Sequence, residues 1–242
     1  MNLGTTIISS IEFQGKISLV IFMAKCPLKC PFCHNWELIN KGEDVSLSEV
    51  FKIIDSDVDY IDAVVISGGE PLSQLNDLKK ILIYSKSLLL ETKLDTSGIY
   101  PDRLEEVVGL VDYISIDVKA PFNKYKEVTG ANIGENVKKS VEIANNAKNT
   151  YVECRTTFVP SLLSPEDIEE IGRNFGCDSN IGCDEYTIQQ FRNQNVFDKT
   201  LREIENPNPN ELKRTAKKVK KYFKMVKIKT SEFGCEVVDD VS

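Results

Sequence analysis

Short apolar runs alternate along the chain with segments in which apolar side chains recur every three or four positions. A continuous apolar run is typical of a strand buried on both faces of a parallel sheet, whereas the longer period indicates a helix that packs one face. The predicted strands are 17–23, 63–67, 88–94, 113–118, 151–159 and 186–190. The predicted helices are 72–87, 101–110, 136–147 and 165–175, with one more after residue 46 and a last one near 212–223.

Several of the predicted helices have recognisable starts. Ser46 followed three residues later by Glu49 is a capping box, in which the Ser46 side chain and the Glu49 side chain satisfy each other's backbone N–H groups. Ser164 before Pro165 is a second good start, and Pro101 begins another helix because its missing N–H is not needed there.

Strands that alternate with helices predict right-handed βαβ units and therefore an α/β fold with a parallel sheet. Six such units precede the last helix, and a length of 242 residues suits a single domain over 1–242. A doubly wound sheet and a barrel both fit the alternation. Each unusual motif directly follows a strand, as expected when a site gathers at the C-terminal face of a barrel, but six units cannot close an eight-stranded one.

Composition narrows the class of protein. A net charge of -7 and a pI near 5.0 argue against nucleic acid as a partner, because phosphate binding needs clustered positive charge. The lysines near the C-terminus lie opposite the stripe Leu212, Ala216, Val219 and Phe223, so they are predicted to be the solvated side of a helix. No apolar run approaches the roughly 18 residues of a membrane span. We therefore expect a soluble, cytoplasmic protein with no membrane partner.

Three of the seven cysteines, Cys26, Cys30 and Cys33, lie within eight residues directly after the first predicted strand. Three thiolates spaced in this way can hold three irons of a cubic iron–sulfur cluster, and the fourth iron would then lack a protein ligand. Four other interpretations fit part of the motif: a Cys30–Cys33 redox pair, c-type haem attachment, a zinc site with His34, and buried structural thiols. The redox-pair and haem interpretations leave Cys26 without a role. The other cysteines, Cys154, Cys177, Cys183 and Cys235, are scattered and predicted to be ordinary thiols.

Polar motifs follow the later strands. Ser67-Gly68-Gly69-Glu70-Pro71 pairs two glycines, which let backbone approach a ligand, with a carboxylate, although a tight turn explains the glycines equally well. Asp95 and Asp117 each end a strand, and two carboxylates beside Thr96 suit a hard cation unless they are simple caps. Arg155 could pair with a carboxylate, Gln189 could bind ribose or adenine, and Phe32 could offer an apolar face to a base.

The cysteine spacing and its context resemble the radical S-adenosylmethionine superfamily, and the lead-in 9–18 resembles the activating proteins of anaerobic ribonucleotide reductases. The likeness continues through 67–71, 94–98, 117–121, 155–157 and 189–192. Two departures stand in the lead-in: Glu12-Phe13-Gln14-Gly15 replaces the usual Asp-Tyr-Pro-Gly, and Ala24-Lys25 stands where a glycine commonly precedes the first cysteine.

The resemblance implies a partial (β/α)6 barrel whose lateral opening could admit a loop of another protein. It implies a 4Fe-4S cluster on Cys26, Cys30 and Cys33, S-adenosylmethionine, and a monovalent cation near Asp95, Thr96 and Asp117. The cofactor-binding residues that it implies are Phe32, Cys33, His34, Gly68, Gly69, Glu70, Asp95, Thr96, Ser97, Asp117, Lys119, Phe122, Asn123, Lys124, Arg155 and Gln189.

The function that the resemblance implies is that of a glycyl-radical enzyme activating enzyme, an oxidoreductase supplied by a low-potential electron donor. Such an enzyme cleaves S-adenosylmethionine reductively to a 5'-deoxyadenosyl radical, which removes hydrogen from a glycine of a partner enzyme, here expected to be anaerobic ribonucleoside-triphosphate reductase. Two alternatives stay open: a radical enzyme that acts on a small molecule or another peptide residue, and a non-catalytic cluster or zinc protein.

Overall fold

Ten strands form one sheet in the computed structural model, which describes residues 1–176 and 181–239. The strands are β1 Asn2–Ser9, β2 Ser18–Met23, β3 Glu43–Asp44, β4 Ala63–Gly68, β5 Glu91–Thr96, β6 Tyr113–Asp117, β7 Tyr151–Phe158, β8 Glu185–Gln190, β9 Met225–Thr230 and β10 Gly234–Val237. The α-helices are α1 Leu47–Asp57, α2 Leu75–Ser87, α3 Pro101–Glu105, α4 Tyr125–Thr129, α5 Gly134–Asn146, α6 Pro165–Phe175 and α7 Pro209–Val219. All six predicted strands are present.

The strand order is β10-β9-β8-β7-β6-β5-β4-β2-β1-β3. The seven strands from β2 to β9, leaving out β3, are parallel to one another and lie side by side in chain order, while β1, β3 and β10 are antiparallel additions. A doubly wound sheet would reverse its order at a switch point, and this order has no reversal. Within the described residues β3 and β10 do not pair, so the barrel is open at the side. The predicted α/β fold with a partial barrel is confirmed.

The helix boundaries follow the local signals in part. The capping box of Ser46 and Glu49 begins α1, and Ser164 with Pro165 begins α6 over its predicted range. The predicted helix 72–87 consists of two parts: a 3-10 turn over Pro71–Gln74 comes first, and the α-helix α2 begins only at Leu75. The predicted helix 101–110 is also broken between α3 and a 3-10 turn over Val108–Leu110.

Four strands and one short helix were not predicted from the sequence. The missed elements are β1, β3, β9, β10 and the short α4. β9 adds a seventh parallel strand without a following helix, and its Lys227 and Lys229 alternate with apolar Val226 and Ile228. This strict alternation is the pattern of a strand with one polar face, so β9 was missed because it lacks the continuous apolar run that marked the other parallel strands.

The two faces of the sheet differ sharply in polarity. The outer face carries apolar side chains such as Ile114, Val152 and Ile188, which pack with the helices in one large cluster. The inner face carries an apolar patch of Phe13, Val20, Ala63 and Val65 at one side. Elsewhere the buried inner positions hold charged side chains, namely Lys93, Asp95, Glu153, Glu185 and Lys227. The concave side of the sheet is therefore a polar hollow rather than a second core.

The C-terminal lysines lie on the outside, as predicted. α7 buries Leu212, Ala216 and Val219, while Lys218 and Lys221 form exposed ion pairs with Glu166 and Glu169 of α6. Cys154 and Cys183 are buried and Cys235 is exposed, whereas Cys177 lies outside the described residues. Among the helices that the structure describes, none is long and apolar enough to cross a membrane.

Replacing Ser46 by Ala is expected to lower the free energy of unfolding by about 1 kcal/mol, because Ser46 caps the first turn of α1 with both halves of the capping box formed. Chemical denaturation of the two proteins measures the difference. Ser56→Ala is the matched control: Ser56 is exposed in the same helix and donates only to the Ile53 carbonyl, so its loss should change stability by less than about 0.5 kcal/mol. Equal effects of the two substitutions would contradict the capping role.

Candidate active site

A cavity of about 220 Å³ opens where the parallel strands reach their C-terminal ends. The cysteine loop after β2 forms one wall, and residues from the ends of β4 to β8 form the rest. It is lined by Cys26, Leu28, Cys30, Phe32, Cys33, His34, Asn35, Ser67, Gly68, Gly69, Asp95, Thr96, Ser97, Asp117, Lys119, Arg155, Thr157 and Gln189. Three quarters of the residues singled out from the sequence thus meet around one space.

The glycine pair packs directly beneath the cysteine loop. Gly69 N–H donates to the Met23 carbonyl at 2.8 Å, and Glu70 N–H donates to the Lys25 carbonyl at 2.9 Å. A Cβ on Gly68 would lie 2.3 Å from the Met23 oxygen, and one on Gly69 would lie 2.4 Å from the Lys25 oxygen. Only glycine fits this approach, and Gly68 also has a φ of 118°. The pair serves the packing of the cysteine loop as well as lining the cavity.

Lys25 stands directly before Cys26, where similar proteins commonly have a glycine, and its backbone keeps a conformation that suits glycine. Its φ is 72°, in the left-handed region that a glycine adopts without strain. Its N–H donates to the Leu38 carbonyl at 2.6 Å, and its carbonyl accepts from Glu70. The loop therefore keeps a turn suited to glycine, held from both sides by hydrogen bonds.

The segment after β8 covers the other side of the cysteine loop, a contact that sequence reasoning missed. Trp36 Nε1 donates to Asn195 Oδ1 at 3.2 Å, and Asp198 N–H donates to the Pro31 carbonyl at 2.9 Å. Asn35 ties the loop to β4 by donating to the Gly68 carbonyl at 3.2 Å. Asn195 has a φ of 52°, but no pattern in the sequence marks it as a partner of residues 159 positions earlier. The cysteines are held between β4 and the β8 segment.

Glu70 is fully buried and does not line the cavity. Its carboxylate accepts from Thr96 Oγ1 at 2.8 Å, Ser97 N–H at 2.8 Å, Leu72 N–H at 3.0 Å and the Ser97 hydroxyl. Burial raises the pKa of Glu70, and these hydrogen bonds oppose the rise. These oxygens join the ends of β4 and β5 and so position Thr96 and Ser97. A direct contact of Glu70 with the cofactor stays a prediction.

Five charged side chains form a network on the floor of the cavity. Arg155 Nε and Nη2 each lie 3.1 Å from Asp117 Oδ1, and Nη1 lies 3.4 Å from Asp95 Oδ1. Lys93 Nζ contacts Asp95 at 3.1 Å, and Lys119 Nζ contacts Asp117 at 2.8 Å. Burial opposes ionisation of both carboxyls, but the neighbouring cations outweigh it and hold the pKa of Asp95 and of Asp117 below the usual range. Both acids are therefore ionised and already paired.

The network carries one more positive than negative charge, since Lys93, Arg155 and Lys119 face Asp95 and Asp117. Neither acid is a helix cap, so the capping alternative is wrong for both. A monovalent cation at Asp95, Thr96 and Asp117 would have to share carboxylates that the chain's own cations already contact.

The three thiols are buried or half-buried, and burial raises the pKa of each one, that of Cys26 to about 12. Lys119 opposes the rise at all three. In the described residues no three His, Cys, Asp or Glu side chains are close enough together to hold one metal ion. The thiols are thus not arranged as a single-ion zinc site with His34. Thiolates here would need a bound cationic group as well as Lys119.

The remaining predicted residues divide between the cavity and its surroundings. Phe32 and Gln189 line the cavity, and so does His34, whose pKa is lowered by burial and then by Arg192. The 3-10 turn Phe122–Lys124 does not line it. Phe122 packs on Phe175 at 5.2 Å and Lys124 forms an ion pair with Asp167 at 2.8 Å, so these contacts turn both side chains toward α6. Asn123 shares that turn, and the structure brings none of the three to the site.

Comparison with known proteins places the chain in a family. The model of the radical SAM superfamily matches residues 20–175. A putative glycyl-radical enzyme activating enzyme of Methanocaldococcus jannaschii is 39% identical over 236 residues, which cover 94% of this chain and 95% of that protein. The pyruvate formate-lyase-activating enzyme of Clostridium pasteurianum is 32% identical over 136 residues, covering 51% of this chain and 57% of that enzyme.

Solved structures share the fold at low sequence identity. SuiB of Streptococcus suis bound to S-adenosylmethionine superposes with a TM-score of 0.67 and 18% identity, over 86% of this chain and 48% of SuiB. A domain of the pyruvate-formate lyase-activating enzyme of Bacteroides vulgatus gives a TM-score of 0.53 and 16% identity, over 69% of this chain and 98% of that domain. By its sequence matches, the chain belongs to the radical SAM superfamily and, within it, to the family of the putative activating enzyme of M. jannaschii.

Proposed function

We propose that this radical SAM enzyme activates a glycyl-radical enzyme, and that its partner is anaerobic ribonucleoside-triphosphate reductase. Membership of the superfamily implies a 4Fe-4S cluster and S-adenosylmethionine. The activity is supported by the relative that is 39% identical over nearly the whole chain and whose name is that of a putative activating enzyme. The observation that carries the proposal in this chain is the cavity that joins three free cysteines to the polar ends of β4 to β8.

The donor set fits the implied cluster. Cys26, Cys30 and Cys33 would hold it, since they are free thiols around one cavity and Lys119 supplies positive charge beside them. Such a cluster would supply the single electron that cleaves the sulfonium of S-adenosylmethionine to methionine and a 5'-deoxyadenosyl radical, the acceptor for a hydrogen atom of the glycine. Reduction of the cluster requires an electron donor of low potential, and we include such a donor among the proposed partners.

The chain's own residues would bind and orient the cofactor. The surplus positive charge of the network around Arg155 and Lys119 suits a carboxylate, and Gly68 and Gly69 leave backbone accessible at the cavity wall. Phe32 offers an apolar face, and Lys119 Nζ lies 5.9 Å above its ring. The fully hydrogen-bonded Glu70 keeps Thr96 and Ser97 in place.

The choice of a protein target is supported by the open side of the barrel. Between the segment after β1 and the β9–β10 hairpin lies an inner cavity of about 510 Å³, which shares Arg155 and Gln189 with the cavity at the cysteine loop. A loop that entered here could approach the cofactor. A glycine Cα radical is stabilised by delocalisation over the neighbouring amides. The Cα hydrogen of such a glycine is therefore easier to remove than most hydrogens of a polypeptide.

Cys30→Ala is expected to abolish iron and sulfide incorporation, because a cluster held by three thiolates loses a third of its protein ligands. Iron and sulfide analysis after anaerobic reconstitution measures this. Cys235→Ala is the control, since Cys235 is exposed on β10 and does not line the cavity at the cysteine loop. A fully loaded cluster in Cys30→Ala would overturn the assignment of the ligands.

Asp117→Asn is expected to lower the rate of 5'-deoxyadenosine formation about tenfold with the cluster retained, because Arg155 and Lys119 lose their shared carboxylate. If a monovalent cation also binds there, wild-type turnover in potassium should exceed that in tetramethylammonium, and the variant should lose the difference. Wild-type turnover that is equal in both salts would show that Lys93, Arg155 and Lys119 alone neutralise Asp95 and Asp117.

Incubation of the reduced enzyme with S-adenosylmethionine and the anaerobic reductase is expected to give a glycyl doublet by electron paramagnetic resonance. The signal should vanish when the reductase's radical glycine is changed to Ala. A doublet only with a pyruvate formate-lyase would reassign the partner. Formation of 5'-deoxyadenosine without a protein radical on any partner would instead favour a small-molecule or other peptide substrate.

A further inference from the structure

One stretch of strand edge at the open side of the barrel is free. β3 pairs with β1 only at Asn2 and Leu3, whereas residues 5–9 pair with β2 on one side and, in the part of the chain that the structure describes, with no strand on the other. Their register with β2 is regular, since its one shift lies before Thr5. The outward N–H and C=O groups of such an edge are a template for pairing with another chain. We call residues 5–9 the free edge of β1.

The side chains of the free edge do not protect it against pairing. Natural edges are usually protected by charged residues, by proline or by short length. The free edge, Thr5-Thr6-Ile7-Ile8-Ser9, contains neither a charge nor a proline, and the first charged side chain of the sequence is that of Glu12. Ile7 is 46% exposed and Ile8 is 53% exposed. Because successive residues of a strand face opposite sides of the sheet, the free edge is apolar on both faces.

The other two strands at the ends of the sheet are protected in the usual ways. β3 consists of two residues, and both are acidic, Glu43 and Asp44. β10 has four residues, begins at Gly234 and carries Glu236, and both residue types are unfavourable in strands. The contrast marks the free edge of β1 as the place where another strand can be added.

The free edge also borders the proposed entrance of the target. The sheet ends at β1 and β3 on one side and at β10 on the other, so a strand added to β1 would lie in the gap between them. Residues 10–12 directly follow the free edge and line the inner cavity of about 510 Å³. That cavity shares Arg155 and Gln189 with the cavity at the cysteine loop. A polypeptide on the free edge would therefore be next to the space that leads to the thiols.

We propose that an extended, uncharged segment of the target polypeptide, rich in β-branched side chains, pairs with the free edge of β1 as an additional strand. The inference rests on the proposed function, because it takes this segment to belong to the protein whose glycine reacts. In strand addition the main-chain hydrogen bonds supply affinity and side chains supply specificity. Ile7 and Ile8 would contact side chains on the two faces of the guest strand, and β-branched residues suit such cross-strand pairs.

The direction of the guest strand follows from its neighbours. Antiparallel pairs are the more stable kind, so we expect the guest to be antiparallel to β1. Since β1 is itself antiparallel to β2, such a guest runs in the direction of the parallel strands, toward the end of the barrel at which the cysteine loop lies. β3 occupies the edge at Asn2 and Leu3, so the guest strand ends before it. The reactive glycine should therefore follow the guest strand in the target sequence.

A second copy of this chain is a poorer occupant of the free edge. Five residues of antiparallel strand span about 17 Å. A stable interface uses roughly 20–30 residues on each side, so pairing of two free edges supplies at most about a quarter of that number. A target polypeptide would gain its further contacts from the cavities beside the free edge.

The test that needs no partner enzyme uses two peptides. The probe acetyl-Thr-Val-Thr-Val-Thr-Gly-amide can pair along its main chain, whereas its control carries N-methyl groups on the central threonine and on the valine after it, which block both edges of the peptide. With millimolar probe, the backbone amides of residues 5–9 in the anaerobic holoenzyme should exchange hydrogen about tenfold more slowly, and those of β10 should be unchanged. Unchanged exchange in residues 5–9, or equal slowing by the two peptides, would overturn the proposal.

Ile8→Lys puts a charge on the free edge. It should reduce the slowing by the probe to within about twofold and raise the half-saturating concentration of the partner enzyme about tenfold. Ile83→Lys is the matched control, since Ile83 is 51% exposed on α2 rather than at a strand edge, and it should leave both quantities at the wild-type value. Neither residue lines the cavity at the cysteine loop, so both variants should form 5'-deoxyadenosine without a partner at the wild-type rate.

Thermal unfolding shows whether either variant has lost its fold, and wild-type partner binding by a folded Ile8→Lys would overturn the proposal. If the proposed function fails, no partner gives a glycyl radical while the probe still slows exchange in residues 5–9. If only strand addition fails, the radical forms and neither probe nor partner slows that exchange. A wild-type dimer that Ile8→Lys converts to monomers would assign the free edge to a second copy and overturn the proposal.

Discussion

The burial of charged side chains on the concave face of the sheet is the constraint on which the rest of the structure depends. A charge inside a protein must be paired, and well-packed apolar groups cannot pair it. Arg155 and Lys227 accordingly form ion pairs with acids of other strands, and Lys93 pairs with Asp95 of its own strand β5. Because their side chains reach sideways to one another, the interior stays hollow, and the helices outside the sheet provide the apolar core.

The cysteine loop depends on a second constraint, the close approach of backbone to backbone. β2 and β4 are neighbours in the sheet, and their C-terminal loops continue as paired segments through Gly69 and Glu70. Side chains at the two glycine positions would separate the loops by their volume alone. The β8 segment then closes the opposite side through Asn195 and Asp198. Hydrogen bonds from both sides thus hold the loop that carries the three thiols.

Arg155 joins the two cavities of the hollow, because it lines both of them and its guanidinium contacts Asp95 and Asp117. The cysteine loop and the ends of β4 to β8 line the first cavity. Residues of β5 to β9, the β9–β10 hairpin and the segment after β1 line the second. Charged side chains of both signs line each cavity, so the paired network around Arg155 separates two polar spaces rather than a polar space from an apolar one.

Local sequence signals determined the strands 63–67 and 113–118, the starts of α1 and α6, and the six βα units, because period and capping act within a few residues. The cysteine spacing and the polar strand ends likewise predicted which residues would meet, since parallel strands end on one face. Tertiary structure alone decided three other features. The Glu70 carboxylate accepts hydrogen bonds from Thr96 and Ser97, and Phe122 and Lys124 contact α6. Glu153 is buried beside β6 and β8 and accepts a hydrogen bond from Ser115, a partner 38 positions away that no local pattern indicates.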